Sequence, residues 1–143
     1  MLHLITLLEG QAYAVEVAWM VEVLPLVRLQ RGPGPEHLAL FRRRGRLTPA
    51  IDLSRLLLGR PFEPRLSTRI LVIQRDGAGE AVGLVAENVT ETLHIPEDAF
   101  ETMRRSGEPA FLGPAAILGA SWVRRIELEP LLEAAFHDPA RAA

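Results

Sequence analysis

Cysteine and lysine are both missing from this 143-residue sequence. Without cysteine, the chain cannot form disulfides, thiolate zinc sites or cysteine nucleophiles, and a reducing compartment is permitted. Long hydrophobic runs are missing too, because the longest span a few residues against the roughly 20 that a transmembrane helix requires. The start of the chain, Met1–Glu9, lacks the basic region that opens a signal peptide. We therefore predict a cytoplasmic protein with neither a signal peptide nor a transmembrane helix.

Aromatic residues are few, with two Trp, one Tyr and five Phe, whereas 48% of the residues are hydrophobic and 24% are charged. With a formal net charge of −2, this composition is that of an ordinary globular protein rather than of a disordered chain. The two halves differ in sign, because residues 1–75 have a balance of +5 and residues 76–143 a balance of −7. Halves of a folded domain can interleave, so this asymmetry is weak support for a polyanion-binding face.

Short segments rich in β-branched residues, separated by glycine and proline, dominate the pattern. The predicted strands cover residues 2–8, 13–17, 38–43, 47–51, 69–75, 81–85, 88–95, 115–118 and 122–126. One short helix is predicted over Leu53–Leu58, with Asp52 as its N-cap and Gly59 after its end, and a second over residues 127–136. Residues 18–24 fit either a helical turn or a strand. Many short strands with two short helices predict an all-β barrel or sandwich-like architecture.

Catalytic and metal-binding patterns are missing. The histidines are not spaced as H-x-x-x-H and have no neighbouring acidic cluster that would complete a metal site. The glycines of residues 77–83 fall at G-x-G-x-x-x-G, and a strand rather than a helix is predicted to follow, so no helix N-terminus would receive a phosphate. No serine lies in a G-x-S-x-G motif. We therefore predict no enzyme activity, no metal site and no cofactor.

Positive charge is concentrated in residues 39–53, ALFRRRGRLTPAIDL, where four arginines fall within five positions. If residues 38–43 form a strand, Arg42 and Arg44 would project from one face and Arg43 from the other. A buried arginine requires an acidic partner, and Glu22 is our candidate for that partner.

An alternative function for the same stretch is nucleic-acid binding by a small β-barrel. Arg42–Arg46 would contact phosphates, and Phe41 or Trp19 would stack on bases. Stacking platforms require several aromatic residues on one surface, and the eight aromatics of this chain are scattered. This alternative is therefore the weaker one.

Several motifs follow one another in the order seen in a known protein family. They are Tyr13–Val17, VEVLP at 21–25, PEHLALFRRRGRLTPAIDLSRLLLG at 35–59, RLSTRILVI at 65–73 and AVGLVAENVTETLHI at 81–95. The most specific are R-G-x-x-x-P-x-I-D-L at 44–53 and S-T-R-I-L-V-I at 67–73. The sequence resembles the CheW-like adaptors of bacterial chemosensory arrays. The resemblance implies one domain over residues 1–143, made of two interleaved SH3-like β-barrel subdomains packed on a shared core.

The same resemblance implies a non-catalytic adaptor that couples the cytoplasmic tip of a methyl-accepting chemoreceptor to the regulatory domain of a CheA-type histidine kinase. Arg44 matches the arginine of the family's asparagine-x-arginine-glycine turn, and Glu22 matches a glutamate associated with coupling. The family's usual glycine is Ala39 here, and its usual asparagine is Arg42, which implies a changed partner preference. The predicted protein-binding residues are Met20, Glu22, Ala39, Leu40, Phe41, Arg42 and Arg44. A cytoplasmic location, with recruitment to membrane-associated receptor arrays as an option, follows from the resemblance.

Overall fold

The computed structural model describes residues 1–75, 79–103 and 105–137, and it divides into two units. The central unit is the continuous segment Ala18–Val89, and the terminal unit combines Met1–Val17 with the residues from Thr90 onward. Each unit contains a five-stranded sheet. The predicted all-β class is therefore confirmed, and the two sheets are consistent with two SH3-like barrels.

The described residues form ten strands and two α-helices. The strands are β1 (Leu2–Leu8), β2 (Gln11–Glu16), β3 (Met20–Pro25), β4 (Leu38–Arg43), β5 (Arg46–Asp52), β6 (Arg69–Ile73), β7 (Val82–Ala86), β8 (Val89–His94), β9 (Leu112–Leu118) and β10 (Ser121–Ile126). The helices are α1 (Leu53–Leu58) and α2 (Leu128–Phe136). Residues 18–24, which the sequence left undecided, lie in a short 3-10 turn over Val17–Trp19 and then in β3.

The sheet of the terminal unit has the order β8-β1-β2-β10-β9. Strands β1 and β2 form an antiparallel hairpin, and β2 pairs in parallel with β10. Residues 88–95 do form a strand, as predicted, but that strand pairs with β1 rather than extending the β6–β7 hairpin. The buried core cluster of this unit is Ile5, Ala12, Ala14, Ile95, Ala116 and Val123.

The sheet of the central unit has the order β3-β6-β7-β5-β4. Strands β6 and β7 are antiparallel, and residues 76–78 between them lie outside the described residues. Strand β5 pairs in parallel with β7 and antiparallel with β4. The buried core cluster of this unit is Phe41, Ala50, Ile70, Val72 and Val85.

Helix α1 begins and ends where the sequence predicted. The Asp52 carboxylate accepts a hydrogen bond from the backbone N–H of Arg55 at 3.2 Å, which satisfies one free donor of the first turn. Gly59 ends the helix in the left-handed conformation, with φ of 74°, and its N–H donates to the Arg55 carbonyl. Both signals are local in sequence, which explains why the pattern alone located this helix.

Candidate protein-docking site

The arginine stretch forms the tip of the β4–β5 hairpin. Arg43 pairs with Arg46 across the hairpin, so that Arg44 and Gly45 are the two turn residues. Both have positive φ, 53° for Arg44 and 77° for Gly45, as in the type I′ turn that matches the twist of paired strands. Asparagine and glycine are the usual residues in such turns, and a non-glycine residue here costs about 1 kcal/mol. The turn places the Arg44 side chain at an exposed position.

Arg43 has a different environment, because it binds the carboxylate of Glu22 on β3. Its Nε donates to Glu22 Oε1 at 2.9 Å, and both side chains are partly buried. Strands β3 and β4 are at opposite ends of the sheet order, so this ion pair joins the two edges of one curved sheet. Backbone hydrogen bonds between Gln30 and Leu40, at 2.7 and 2.8 Å, also connect the segment that follows β3 to β4. The predicted pairing of Glu22 with one arginine of the stretch is confirmed.

Phe41 lies in the core rather than on the surface. It is fully buried, and a Cβ at Gly83 would lie only 2.8 Å from its ring. The ring occupies this space because alternation along β4 directs Phe41 inward and Arg42 outward. The prediction that Phe41 contacts a partner directly, or stacks on a base, is therefore wrong. Its role is to support the hairpin from beneath.

The other predicted binding residues differ in exposure. Arg42 and Arg44 are exposed, whereas Met20, Ala39 and Leu40 are half-buried. Arg42 Nη1 makes one weak bond, 3.4 Å to the carbonyl of Gly45.

Sequence analysis overlooked two valines that flank Glu22. Val21 and Val23 are 45% and 47% exposed, because β3 alternates between exposed and half-buried positions. Apolar-polar alternation in Val21-Glu22-Val23 would by itself predict buried valines and an exposed glutamate, so the sequence carried no local signal for their exposure. The two valines form an exposed apolar strip on the face of β3 opposite to Glu22.

A shallow groove lies beside the hairpin within the central unit, with a volume of about 380 Å³. It is lined by Arg43, Arg44, Arg46, Leu47, Thr48, Pro49, Gln74, Gly79, Glu80 and Ala81. Three of these residues are arginines and three are apolar, so the groove combines positive charge with aliphatic surface. Leu47 is 49% exposed there.

Buried carboxylates of the central unit have structural partners. Burial raises the pKa of Asp52, although backbone N–H groups of Phe62 and Arg55 partly offset this. Burial would also raise the pKa of Glu87, but hydrogen bonds from Ser54 and Arg60 together outweigh it and leave that pKa below its ordinary value. These groups hold α1 and the loop after it, and none of them faces the groove lining.

Groups of histidine, aspartate and glutamate that could hold a metal ion do not occur in residues 1–75, 79–103 and 105–137. Within those same ranges, no helix has the length and apolar character to cross a bilayer.

A comparison with known protein families matches the CheW-like domain over residues 3–136. The chain belongs to the CheW-like domain family. CheW-like domains are non-catalytic chemotaxis scaffolds, which is consistent with the prediction that the chain is not an enzyme. A search of curated proteins found no significant match.

A solved structure has a closely similar fold, the scaffolding protein TtCheW from Thermoanaerobacter tengcongensis. The TM-score is 0.78 at 22% sequence identity, and the similarity covers 89% of this chain and 84% of TtCheW. At this identity the similarity concerns the CheW fold alone.

Proposed function

We propose that this CheW-like protein is a chemosensory adaptor that binds a chemoreceptor cytoplasmic tip and the regulatory domain of a CheA-type histidine kinase. The observation that carries this proposal is the family match, which extends over almost the whole described chain. The location that goes with it is the cytoplasmic face of a receptor array.

The exposed hairpin tip is the surface that we assign to one of these contacts. Arg44 projects from a turn that is fixed at its base by the Glu22–Arg43 pair at 2.9 Å, so little ordering of the loop backbone remains when a partner binds. Val21 and Val23 expose apolar area on the other face of β3. An apolar patch with a polar rim is the usual composition of a protein interface.

The adaptor would act by geometry rather than by chemistry. Holding a receptor and a kinase together raises the effective concentration of each for the other. A change in kinase activity further requires that the adaptor binds one kinase conformation more tightly than the other.

The test is reconstitution with the receptor fragment and kinase of the source cell. We expect the adaptor to bind both in a pull-down and to change the receptor-dependent rate of kinase autophosphorylation. Arg44→Glu should weaken this effect, whereas Arg105→Glu, at an exposed arginine of the terminal unit, should leave it intact. Failure of the unmodified chain to bind either protein would refute the proposal.

A further inference from the structure

A second cavity of the central unit shares no lining residue with the groove beside the hairpin tip. Its volume is about 200 Å³. The buried residues Ala50 and Val85 line its deepest part, and Leu29 and Phe62, which pack against the buried core cluster, line its walls. A cavity of about 150 Å³ holds one benzene molecule, so this cavity accommodates a somewhat larger small molecule.

Two alanines explain why the cavity exists. Ala39 on β4 and Ala50 on β5 are directly opposite each other in the hairpin register, so their side chains lie on the same face of the sheet. Phe41, two residues further along β4, has the same orientation, and its ring fills the neighbouring core. Because the two alanines offer only methyl groups, space remains beside them. A larger side chain at position 39 would occupy that space.

One part of the cavity lining is charged. The Asp52 carboxylate is almost fully buried there, and its two oxygens accept backbone N–H bonds from Arg55 at 3.2 Å and from Phe62 at 3.0 Å. Each carboxylate oxygen has a second lone pair, so Asp52 retains the capacity to accept further hydrogen bonds.

The guanidinium group of Arg55 lines the same cavity. Its Nη1 pairs with the Glu36 carboxylate at 3.1 Å, whereas its Nε is buried without a hydrogen-bond partner in the part of the chain that the structure describes. A buried N–H group without an acceptor is unfavourable, so a ligand that supplies an acceptor is favoured at this position.

We propose that this cavity binds a small amino acid with an aliphatic side chain. Its carboxylate would accept a hydrogen bond from Arg55 Nε, its ammonium group would donate to Asp52, and its side chain would pack between Leu29 and Phe62. The two protein groups carry opposite charges, so a zwitterion forms a charge-assisted hydrogen bond with each of them. A ligand with a carboxylate alone meets the Asp52 charge, and one with an ammonium group alone leaves Arg55 Nε unsatisfied. This binding site does not depend on the proposed adaptor function.

Isothermal titration calorimetry of the full chain tests the proposal with leucine and with two analogues that each lack one charge. Leucinamide lacks the carboxylate, and isocaproate lacks the ammonium group. We expect leucine to bind and each analogue to bind at least about tenfold more weakly, the effect of losing one hydrogen bond between charged groups. Aspartate, which keeps both charges but has a polar side chain, should also bind more weakly because it cannot pack on the apolar walls.

Two substitutions test the cavity itself. Ala39→Val adds volume beside the alanine pair with a residue that favours strands, and Arg55→Met removes Nε but keeps a residue that favours helices. Each should weaken leucine binding by at least about tenfold. Arg28→Met, at an exposed arginine of the same unit outside the cavity, is the control and should leave leucine binding unchanged. Thermal unfolding establishes that each variant is folded.

Absence of leucine binding to the unmodified chain would overturn the proposal. Equal binding of leucine and the two analogues would also overturn it, because the charged contacts would then contribute nothing. So would unchanged leucine binding in folded Ala39→Val and Arg55→Met, or equal losses in Arg55→Met and Arg28→Met. If one of the two cavity variants does not fold, the other variant and the analogues still decide the outcome.

Discussion

Arginines in the two units have different environments. In the terminal unit, the Arg125 side chain is only 11% exposed, and its guanidinium bonds to Glu97 at 2.9 and 3.1 Å and to Glu127 at 3.0 Å. The same group lies 4.6 Å from the centre of the Phe100 ring. In the central unit, Arg44 is exposed at a turn and has no ion pair among the described residues. The first arginine maintains the fold, and the second is available to a partner.

This difference shows that a run of like charges in the sequence does not identify how each charge is used. Arg42, Arg43 and Arg44 are consecutive, yet among the described residues only Arg43 has an acidic partner, because alternation directs it toward Glu22. Arg124 and Arg125 are also consecutive, and both are paired, since Arg124 binds Glu108 at 3.1 Å. Substitutions along this series therefore should separate structural from docking arginines.

Arg125→Met should have the largest effect. It removes the cation that Glu97 and Glu127 share, and it leaves the Glu127 carboxylate partly buried without that partner. We expect the free energy of unfolding to fall by about 2 kcal/mol, measured by urea denaturation. Arg125→Lys keeps the charge but loses the two-fold hydrogen bonding. Its free energy of unfolding should therefore lie between that of the unmodified chain and that of Arg125→Met. A Met variant as stable as the unmodified chain would mean that this cluster is not structural.

His3 should make the stability of the terminal unit depend on pH. Its ring is fully buried beside Phe100, and burial is the main cause that lowers its pKa below the ordinary 6.5. The unfolded chain then binds the proton more readily, so stability should fall as the pH drops below 6.5. The test is denaturation at a series of pH values. Between about pH 7 and about pH 5, we expect the free energy of unfolding of His3→Phe to fall less than that of the unmodified chain. His137→Gln, at an exposed histidine, is the control and should follow the unmodified chain.

Arg43→Gln should have a smaller effect on stability. It removes a partly exposed ion pair between the sheet edges, which is worth about 1 kcal/mol. A double-mutant cycle with Glu22→Gln would isolate the pair from the other contacts of the two side chains. Additive losses in the double variant would show that the two groups do not stabilise each other.

Arg44→Asn should have the smallest effect on folding. Asparagine adopts the left-handed conformation more readily than arginine, so the change in stability should be within about 0.5 kcal/mol and in the direction of a gain. Thermal unfolding would measure it. A marked loss would mean that the Arg44 side chain supports the hairpin, contrary to its assignment as a docking residue.

Sequence reasoning succeeded where the signals are local. Asp52 and Gly59 mark the ends of α1, and Arg44-Gly45 between two strands marks a hairpin turn. The pairing of β8 with β1 could not be foreseen, because it joins residues far apart in the sequence without any turn between them.

The candidate docking residues also divide into those that local sequence signals identified and those that they did not. Alternation along β4 separated the outward Arg42 from the inward Arg43, and the acidic candidate Glu22 was found. Phe41 was misassigned because its place in the docking set was taken from hydrophobic character near the arginines rather than from its inward position. The Arg125 cluster was missed altogether, since Glu97 and Glu127 approach it only in the folded sheet.

The division of the chain into a continuous central unit and a split terminal unit bears on its synthesis. A ribosome delivers all of Ala18–Val89 before β10 emerges, so the central unit can fold while translation continues. Strand β2 then remains without its parallel neighbour until Val123 reaches Ala12, more than a hundred residues along the chain. Contacts between such distant residues form slowly. The nascent β1–β2 hairpin therefore presents an open strand edge during this interval, and we expect that segment to be the one most exposed to chaperones.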